Sequence, residues 1–247
     1  MTVMRWKCVC AFDGGAFQGW QSQAGGDGVQ DVIERRLREI FDRPVRVHGS
    51  SRTDTGVHAR RFVFHFDAEW RHSTDALLAA FRTGLPAEVL VFSARRAPDS
   101  FHARFSALGK RYTYHVYEGI PMPFDARYRV ASHRKLDTAV MAEAAARLTG
   151  ERDFAAYSAM NRTVMESTVR NLTRLEVVRR GREVRIVAEA DGFLYRMARS
   201  LAGGLIRVGE GKLPSGRLEE ILVERRRTAE IPTAPAHGLF LDRVFYR

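Results

Sequence analysis

Residues 45–66, VRVHGSSRTDTGVHARRFVFHF, contain a loop of small residues between two predicted strands. The second strand is predicted from three phenylalanines that alternate and so share one face: Phe62, Phe64 and Phe66. The loop carries a carboxylate, Asp54, with Arg52 two residues before it and His58 four residues after it. Glycine and hydroxyl residues let such a loop turn sharply and let a bulky partner approach its backbone.

Asp54 has two interpretations at the level of this loop. A carboxylate at the surface of a loop can act as a nucleophile, a base or a metal ligand. An aspartate between two threonines in a turn more commonly caps that turn through its side chain. The loop by itself favours the capping role, so a catalytic role has to be supported by the rest of the chain.

Outward from the loop, the predicted elements follow the order β-α-β-β-α-β twice. The first set has strands over 3–12, 45–48, 61–66 and 89–93, a helix capped by Asp27 and a helix over 74–81. The second set has strands over 111–117, 172–179, 184–190 and 239–245, and helices over 137–150, 193–208 and 217–224. This is the order of the ferredoxin-like unit. We therefore expect an α+β fold of two halves, residues 1–105 and 106–247, each with a mainly antiparallel sheet and with a cleft between them.

The charge of the chain indicates a polyanionic partner. The 247 residues carry a formal net charge of +11 and a pI of about 10.3, and 45% of them are hydrophobic. A basic surplus of this size favours nucleic acid as the partner. RNA-recognition modules share the predicted topology, but their glycine-containing RNP1 pattern is absent, so a standard base-stacking sheet is not predicted.

Two cysteines, Cys8 and Cys10, alternate on the first predicted strand and point to one face. Neighbours at this spacing seldom form a disulfide, so we expect reduced core residues and a cytoplasmic protein. The apolar run near residue 1 is too short for a signal peptide or a membrane span. We expect no membrane association.

Ordered motifs along nearly the whole chain resemble the tRNA pseudouridine synthases of the A type. The motifs are Phe12-Asp13-Gly14, Gly19-Trp20-Gln21, Val29-Gln30, Arg52-Thr53-Asp54-x-Gly56-Val57-His58, residues 101–107, Lys110-Arg111-Tyr112-x-Tyr114, Gly150-x-x-Asp153-Phe154, Met197-x-Arg199 and Gly238-Leu239-Phe240-Leu241. Two positions depart from the family, which more often has Gly and Ala where this chain has Ser51 and Thr55.

The resemblance implies the pseudouridine synthase fold and an isomerase that converts uridine to pseudouridine at positions 38, 39 and 40 of the tRNA anticodon stem-loop. Asp54 would be the catalytic carboxylate, acting at C1′, at C6 or by assisting glycal formation. Arg199 would keep Asp54 ionised, although the helical pattern alone places Arg199 on a solvated face. Tyr112 would stack on the target base, Arg52 would contact RNA or fill the space of a flipped base, and His58 would brace the loop.

The resemblance also implies a homodimer and a reaction that requires no metal and no organic cofactor. An alternative from another class is a non-catalytic protein that binds structured RNA on the same fold. A hydrolase that uses Ser50 or Ser51 with His58 is a weaker alternative, because no acid partner or oxyanion site is apparent in the sequence.

Overall fold

The computed structural model describes residues 2–159 and 167–247. The chain divides into two compact units. The first consists of Met1–Leu108 together with Leu241–Arg247, and the second of Gly109–Phe240. No helix in the described ranges is long and apolar enough to cross a membrane.

The first unit contains strands β1 (Met4–Phe12), β2 (His48–Gly49), β3 (His58–Ala68) and β4 (Val89–Ala97), and helices α1 (Val29–Phe41) and α2 (Thr74–Arg82). The predicted order β-α-β-β-α-β is confirmed for this unit. Strand β1 pairs antiparallel with both β3 and β4, and the short β2 pairs antiparallel with β3. The C-terminal strand β10 (Leu239–Phe245) is also a neighbour of β3, with residues 241–245 belonging to this unit.

The core of the first unit lies between this sheet and its two helices. The three alternating phenylalanines of β3, Phe62, Phe64 and Phe66, are fully buried. Phe64 and Phe66 both meet Phe81 of α2 edge to face, with ring centroids 6.3 and 6.2 Å apart, and Phe66 also contacts Phe41 of α1. Ile33 and Leu37 of α1 and Leu77 of α2 are fully buried as well. Full burial of one such side chain contributes roughly 1.5–3 kcal/mol. The strand that follows the Asp54 loop is therefore a rigid element.

The second unit contains strands β5 (Gly109–Glu118), β6 (Val130–Ser132), β7 (Gly150–Asp153), β8 (Val169–Arg180) and β9 (Glu183–Ala190), and helices α3 (Pro123–Ala126), α4 (Thr138–Arg147), α5 (Met197–Gly209) and α6 (Arg217–Glu224). Its sheet has the order β5-β9-β8-β7 with antiparallel pairing, and β6 pairs parallel with β5. The α+β fold with mainly antiparallel sheets is thus confirmed, while β6, β7 and α3 were not predicted.

The boundaries of three helices differ from the predicted ones. Helix α4 ends at Arg147 rather than at Gly150, which begins β7. Helix α1 is capped by Gly28 rather than Asp27, because the Asp31 carboxylate accepts from the Gly28 N–H at 2.9 Å. Helix α5 begins at Met197 rather than near Phe193, because Arg196 adopts a left-handed backbone with φ of 59° that no helix can continue through.

One predicted helix cap is confirmed, and one predicted strand is wrong in extent. The cap of α4 by Asp137 is confirmed, since its carboxylate accepts from the N–H groups of Ala139 and Val140 at 3.1 and 3.2 Å. The strand predicted over 45–48 is wrong in extent, because only His48 and Gly49 pair with β3.

Candidate active site

Asp54 lies half-buried in the loop that joins β2 to β3. The turn in this loop is closed by the backbone, because the Val57 N–H donates to the Asp54 carbonyl at 3.1 Å. Gly56 has φ of 78°, a conformation that glycine adopts without steric cost. This backbone hydrogen bond therefore closes the turn between Asp54 and Val57.

The glycine loop, residues 13–26 between β1 and α1, packs directly against the Asp54 loop. Gly19 has φ of 83°, and a β-carbon at this position would overlap the Thr53 carbonyl oxygen. A β-carbon at Gly14 would overlap the carbonyl group of Val57. The Asp54 loop is thus held by backbone contact on both sides of the carboxylate.

Trp20 connects this glycine loop to the core of the first unit. Its ring stacks on Phe62 with 3.8 Å between centroids and an interplanar angle of 23°. Gly49 lies so close to the indole that a β-carbon there would overlap the Trp20 ring. The backbone N–H of Trp20 also donates to the Thr53 carbonyl at 3.4 Å. The position of the loop is therefore linked to the same phenylalanine cluster that fixes β3.

His58 is buried at the start of β3, and its Nδ1 accepts from the Gly14 N–H at 3.0 Å. Asp13 Oδ1 lies at the same distance from Nδ1 and accepts from the Gly15 N–H at 3.0 Å. Nδ1 of His58 therefore lies within hydrogen-bond distance of both the Gly14 N–H and the Asp13 carboxylate. His58 thereby anchors the end of the Asp54 loop to the glycine loop.

The two departures from the family pattern both lie beside Asp54. Thr55 Oγ1 donates to Gln18 Oε1 at 3.3 Å, which is one further contact between the two loops. Ser51 Oγ donates to the Arg52 carbonyl at 3.4 Å. Arg52 is exposed, so its guanidinium is accessible to a solvent-borne anion such as phosphate.

Tyr112 lies on β5 of the second unit and is only 6% exposed. Its ring meets Phe193 edge to face, with 4.9 Å between centroids and an angle of 78°. Tyr114 shares the same face of the strand, and its hydroxyl donates to the Pro235 carbonyl at 2.8 Å. Burial raises the pKa of Tyr114 well above its usual range, while the positive charge of Arg199 opposes that rise.

Arg199 lies on α5 and is half-buried rather than on a solvated face. Its Nε donates to the Ala234 carbonyl at 2.7 Å, and its own carbonyl accepts from the Ala234 N–H at 3.1 Å. The helix pattern could not show this contact, because Ala234 belongs to an irregular segment 35 residues further along the chain.

The candidate residues thus form two groups. Asp54 and Arg52 share one loop of the first unit, and Tyr112 and Arg199 belong to neighbouring elements of the second. Sequence reasoning did not assign a role to Gly14, Gly19 or Trp20, although the motifs that contain them were recognised. Within residues 2–159 and 167–247, no group of three or more His, Cys, Asp or Glu side chains is arranged to hold a metal ion.

The sequence matches a known protein family. The sequence model of the family described as tRNA pseudouridine synthase matches residues 9–106 and 144–247. The matched ranges contain Arg52, Asp54 and Arg199, whereas Tyr112 lies in the interval between them.

Individual relatives match over nearly the whole chain. The chain is 37% identical over 244 residues to the tRNA pseudouridine synthase A of Legionella pneumophila, covering 98% of this chain and 93% of that protein. It is 39% identical over 249 residues to the tRNA pseudouridine synthase A of Xanthobacter autotrophicus, covering 98% and 99%. It is 36% identical over 250 residues to the protein of that name from Thermodesulfovibrio yellowstonii, covering 97% and 98%.

Proposed function

The chain belongs to the tRNA pseudouridine synthase family, and from that premise we propose that Asp54 is its catalytic carboxylate. The chain is an enzyme that isomerises uridine in tRNA to pseudouridine. In this reaction the N1–C1′ bond breaks, the uracil rotates and a C5–C1′ bond forms. The proton displaced from C5 is balanced by the proton that N1 gains.

The observation that carries the proposal is the way the Asp54 loop is held. Its neighbours Thr53 and Val57 lie against Gly19 and Gly14, so the carboxylate is presented by a loop with little freedom to move. A reacting group held in one geometry gains the rate advantage of proximity and orientation. Attack at C1′, attack at C6 and assistance of glycal formation all require the carboxylate as an anion.

The other three residues receive the roles that the family pattern gives them. Tyr112 stacks on the target base, Arg199 supplies the positive charge that favours an ionised carboxylate, and Arg52 contacts the RNA backbone. The target uridine is flipped out of its stack, which costs a few kcal/mol and is offset by such contacts. The substrate is the tRNA anticodon stem-loop at positions 38, 39 and 40. The net charge of +11 supports RNA as the partner.

A homodimer is the second part of the proposal. Three large apolar side chains at and before α3 are exposed in the second unit: Ile120, Met122 and Phe124. Phe124 is 82% exposed, and clustered apolar surface of this kind favours a protein–protein contact. Phe124→Asp should convert a dimer to a monomer in sedimentation at micromolar concentration. A monomeric parent protein that is fully active would contradict the dimer.

We place the enzyme in the cytoplasm. Cys8 and Cys10 are buried free thiols. Burial raises the pKa of both thiols, which disfavours the reactive thiolate. Unreactive reduced cysteines are compatible with a reducing compartment.

The decisive experiment is Asp54→Asn, assayed by mapping pseudouridine in an anticodon-arm transcript. Asn keeps the size of the side chain and caps a turn about as well as Asp, but it cannot supply the anion. We expect no detectable product, with transcript binding retained because a loop carboxylate repels phosphate. Measurable turnover by Asp54→Asn would refute the catalytic role and leave the capping interpretation.

A further inference from the structure

The segment that follows β4 exposes an aromatic ring in the first unit. Phe105 is 77% exposed, and its neighbour Arg104 is also exposed. A single exposed apolar residue is ordinary on a protein surface. Phe105 differs from that case because the turn that carries it, residues 102–106, is held by an unusual set of contacts.

The first set of contacts is made by His102. Its Nδ1 accepts from the backbone N–H groups of Arg104 and Phe105 at 3.1 and 3.3 Å. Its own backbone N–H donates to Ser106 Oγ at 2.9 Å. The Ser106 N–H also donates to the His102 carbonyl at 2.9 Å, so one backbone bond and two side chains fix the backbone on both sides of Phe105.

The second set anchors the turn to the sheet through the buried Ala103. The Ala103 N–H donates to His65 Nδ1 on β3 at 3.2 Å, and the Ala103 carbonyl accepts from the Tyr246 hydroxyl at 2.5 Å. The base of the turn is thus bound to β3 and to the residue that follows β10, both in the first unit. Phe105 is presented to solvent on a fixed support, so little of its mobility would be lost on binding.

Phe105 is the first in a series of four aromatic rings that contact one another. The Phe105 and His102 centroids are 4.3 Å apart with an angle of 34°, and His102 meets His65 edge to face at 4.7 Å. His65 in turn stacks on the exposed His48 at 4.9 Å. The Arg104 guanidinium lies 5.6 Å over the Phe105 ring. The surface therefore combines an aromatic ring that is 77% exposed with a guanidinium that lies over it.

We propose that Phe105 is a stacking platform for an unpaired nucleotide of the tRNA substrate, with Arg104 placed to contact the adjoining phosphate. Every base has an aromatic face, and stacking of bases on exposed protein rings is a general mode of binding to unpaired nucleic acid. Asp67, the acidic side chain that faces the histidines, is held by Arg5 in a two-point ion pair at 2.7 and 2.8 Å. That pairing limits its repulsion of phosphate. The proposal rests on the tRNA activity and adds a contact outside the four family residues.

The test compares three substitutions of Phe105 by the affinity for an unmodified tRNA transcript at fixed salt. Loss of one stacked base should weaken binding by roughly 5- to 150-fold in Phe105→Ala. Phe105→Trp should bind within a few-fold of the parent, because it keeps a ring. Phe105→Leu should resemble Phe105→Ala, because it keeps apolar area but has no aromatic face. The matched control is Leu90→Ala, which trims an apolar side chain that is 47% exposed on β4 of the same unit. It should leave affinity unchanged.

Transcript affinity of Phe105→Ala equal to the parent, or full rescue by Phe105→Leu, would overturn the proposal. A change of sedimentation coefficient with unchanged affinity would also overturn it, because Phe105 would then contact another protein chain. Phe105→Ala should still form pseudouridine in a single turnover at saturating enzyme, since Asp54 is intact. Failure of the Asp54 assignment appears instead as turnover by Asp54→Asn, so the two outcomes are distinguishable.

Discussion

Gly19 lies directly against the carbonyl oxygen of Thr53, the residue that precedes Asp54 in the chain. The contact leaves no room for a β-carbon at position 19, and the positive φ of 83° there also disfavours any other residue. In the sequence, Gly19 is only the first residue of a Gly-Trp-Gln motif. In the structure, it helps to fix the position of the loop that carries Asp54.

Gly19→Ala should displace the Asp54 loop and lower the rate of pseudouridine formation by about 100-fold, because a shift of about 1 Å at a reacting group has an effect of this size. Gly181→Ala is the matched control. Gly181 also has positive φ, of 60°, but a β-carbon there has no neighbour within 4 Å.

Both glycine variants should lose about 1–2 kcal/mol of stability from the left-handed backbone. Single-turnover assays beside melting curves separate this shared loss from the effect on rate. Equal activity of the two variants would mean that the contact with Thr53 does not position Asp54.

Arg199→Ala should lower product formation by roughly 10²–10³-fold, the usual effect of removing one preorganised electrostatic group from an active site. Arg199→Lys keeps the charge but loses the planar guanidinium whose Nε donates to Ala234. We expect partial activity from the lysine variant if the charge is what matters.

The measurement for Arg199 is single-turnover rate together with the melting temperature of each variant. If both variants lose stability equally and retain near-normal rates, Arg199 serves only to hold the segment around Ala234.

The stability of the first unit should fall between pH 6.5 and pH 4 because of His65. Burial, followed by the nearby positive charges, lowers the pKa of His65 from 6.5 to about 4. The unfolded chain then binds a proton near pH 6.5 that the folded chain does not accept until about pH 4. The free energy of unfolding is therefore largest above pH 6.5 and decreases below it, by at most about 1.4 kcal/mol per pH unit.

His65→Asn is the control for this prediction, because its amide oxygen can still accept from the Ala103 N–H but does not titrate. Urea unfolding at pH 7.5, 6.5, 5.5 and 4.5 should give a shallower decrease in the variant. Parallel curves would show that other groups, such as His102, whose pKa burial also lowers, dominate the window.

Affinity for tRNA should decrease steeply with salt, because neutralised phosphates release their counterions on binding. With six to ten phosphate contacts the affinity falls about 10³–10⁵-fold between roughly 50 and 200 mM salt. Arg52→Gln should reduce the slope of log affinity against log salt by about one if Arg52 contacts a phosphate. An unchanged slope in that variant would remove Arg52 from the RNA contacts.

The sequence by itself determined most of the helices and strands, though not β6, β7 or α3, and it determined the residues of the family pattern. Strand β3 could be predicted because Phe62, Phe64 and Phe66 alternate, and α4 because Asp137 caps a periodic apolar helix; both signals are local and depend on the backbone period alone. The proposal that Asp54 is catalytic also comes from the sequence, but it rests on the ordered motifs along the whole chain and not on the Asp54 loop alone.

Only the tertiary structure decided how those residues are held. The close approach of Gly19 to Thr53, the hydrogen bond from Gly14 to His58 and the contact of Arg199 with Ala234 each join residues about 34 to 44 positions apart. The start of α5 and the two-residue extent of β2 were also missed. No periodicity or propensity carries such information, because each contact depends on which backbone groups the packed core brings within van der Waals or hydrogen-bond distance.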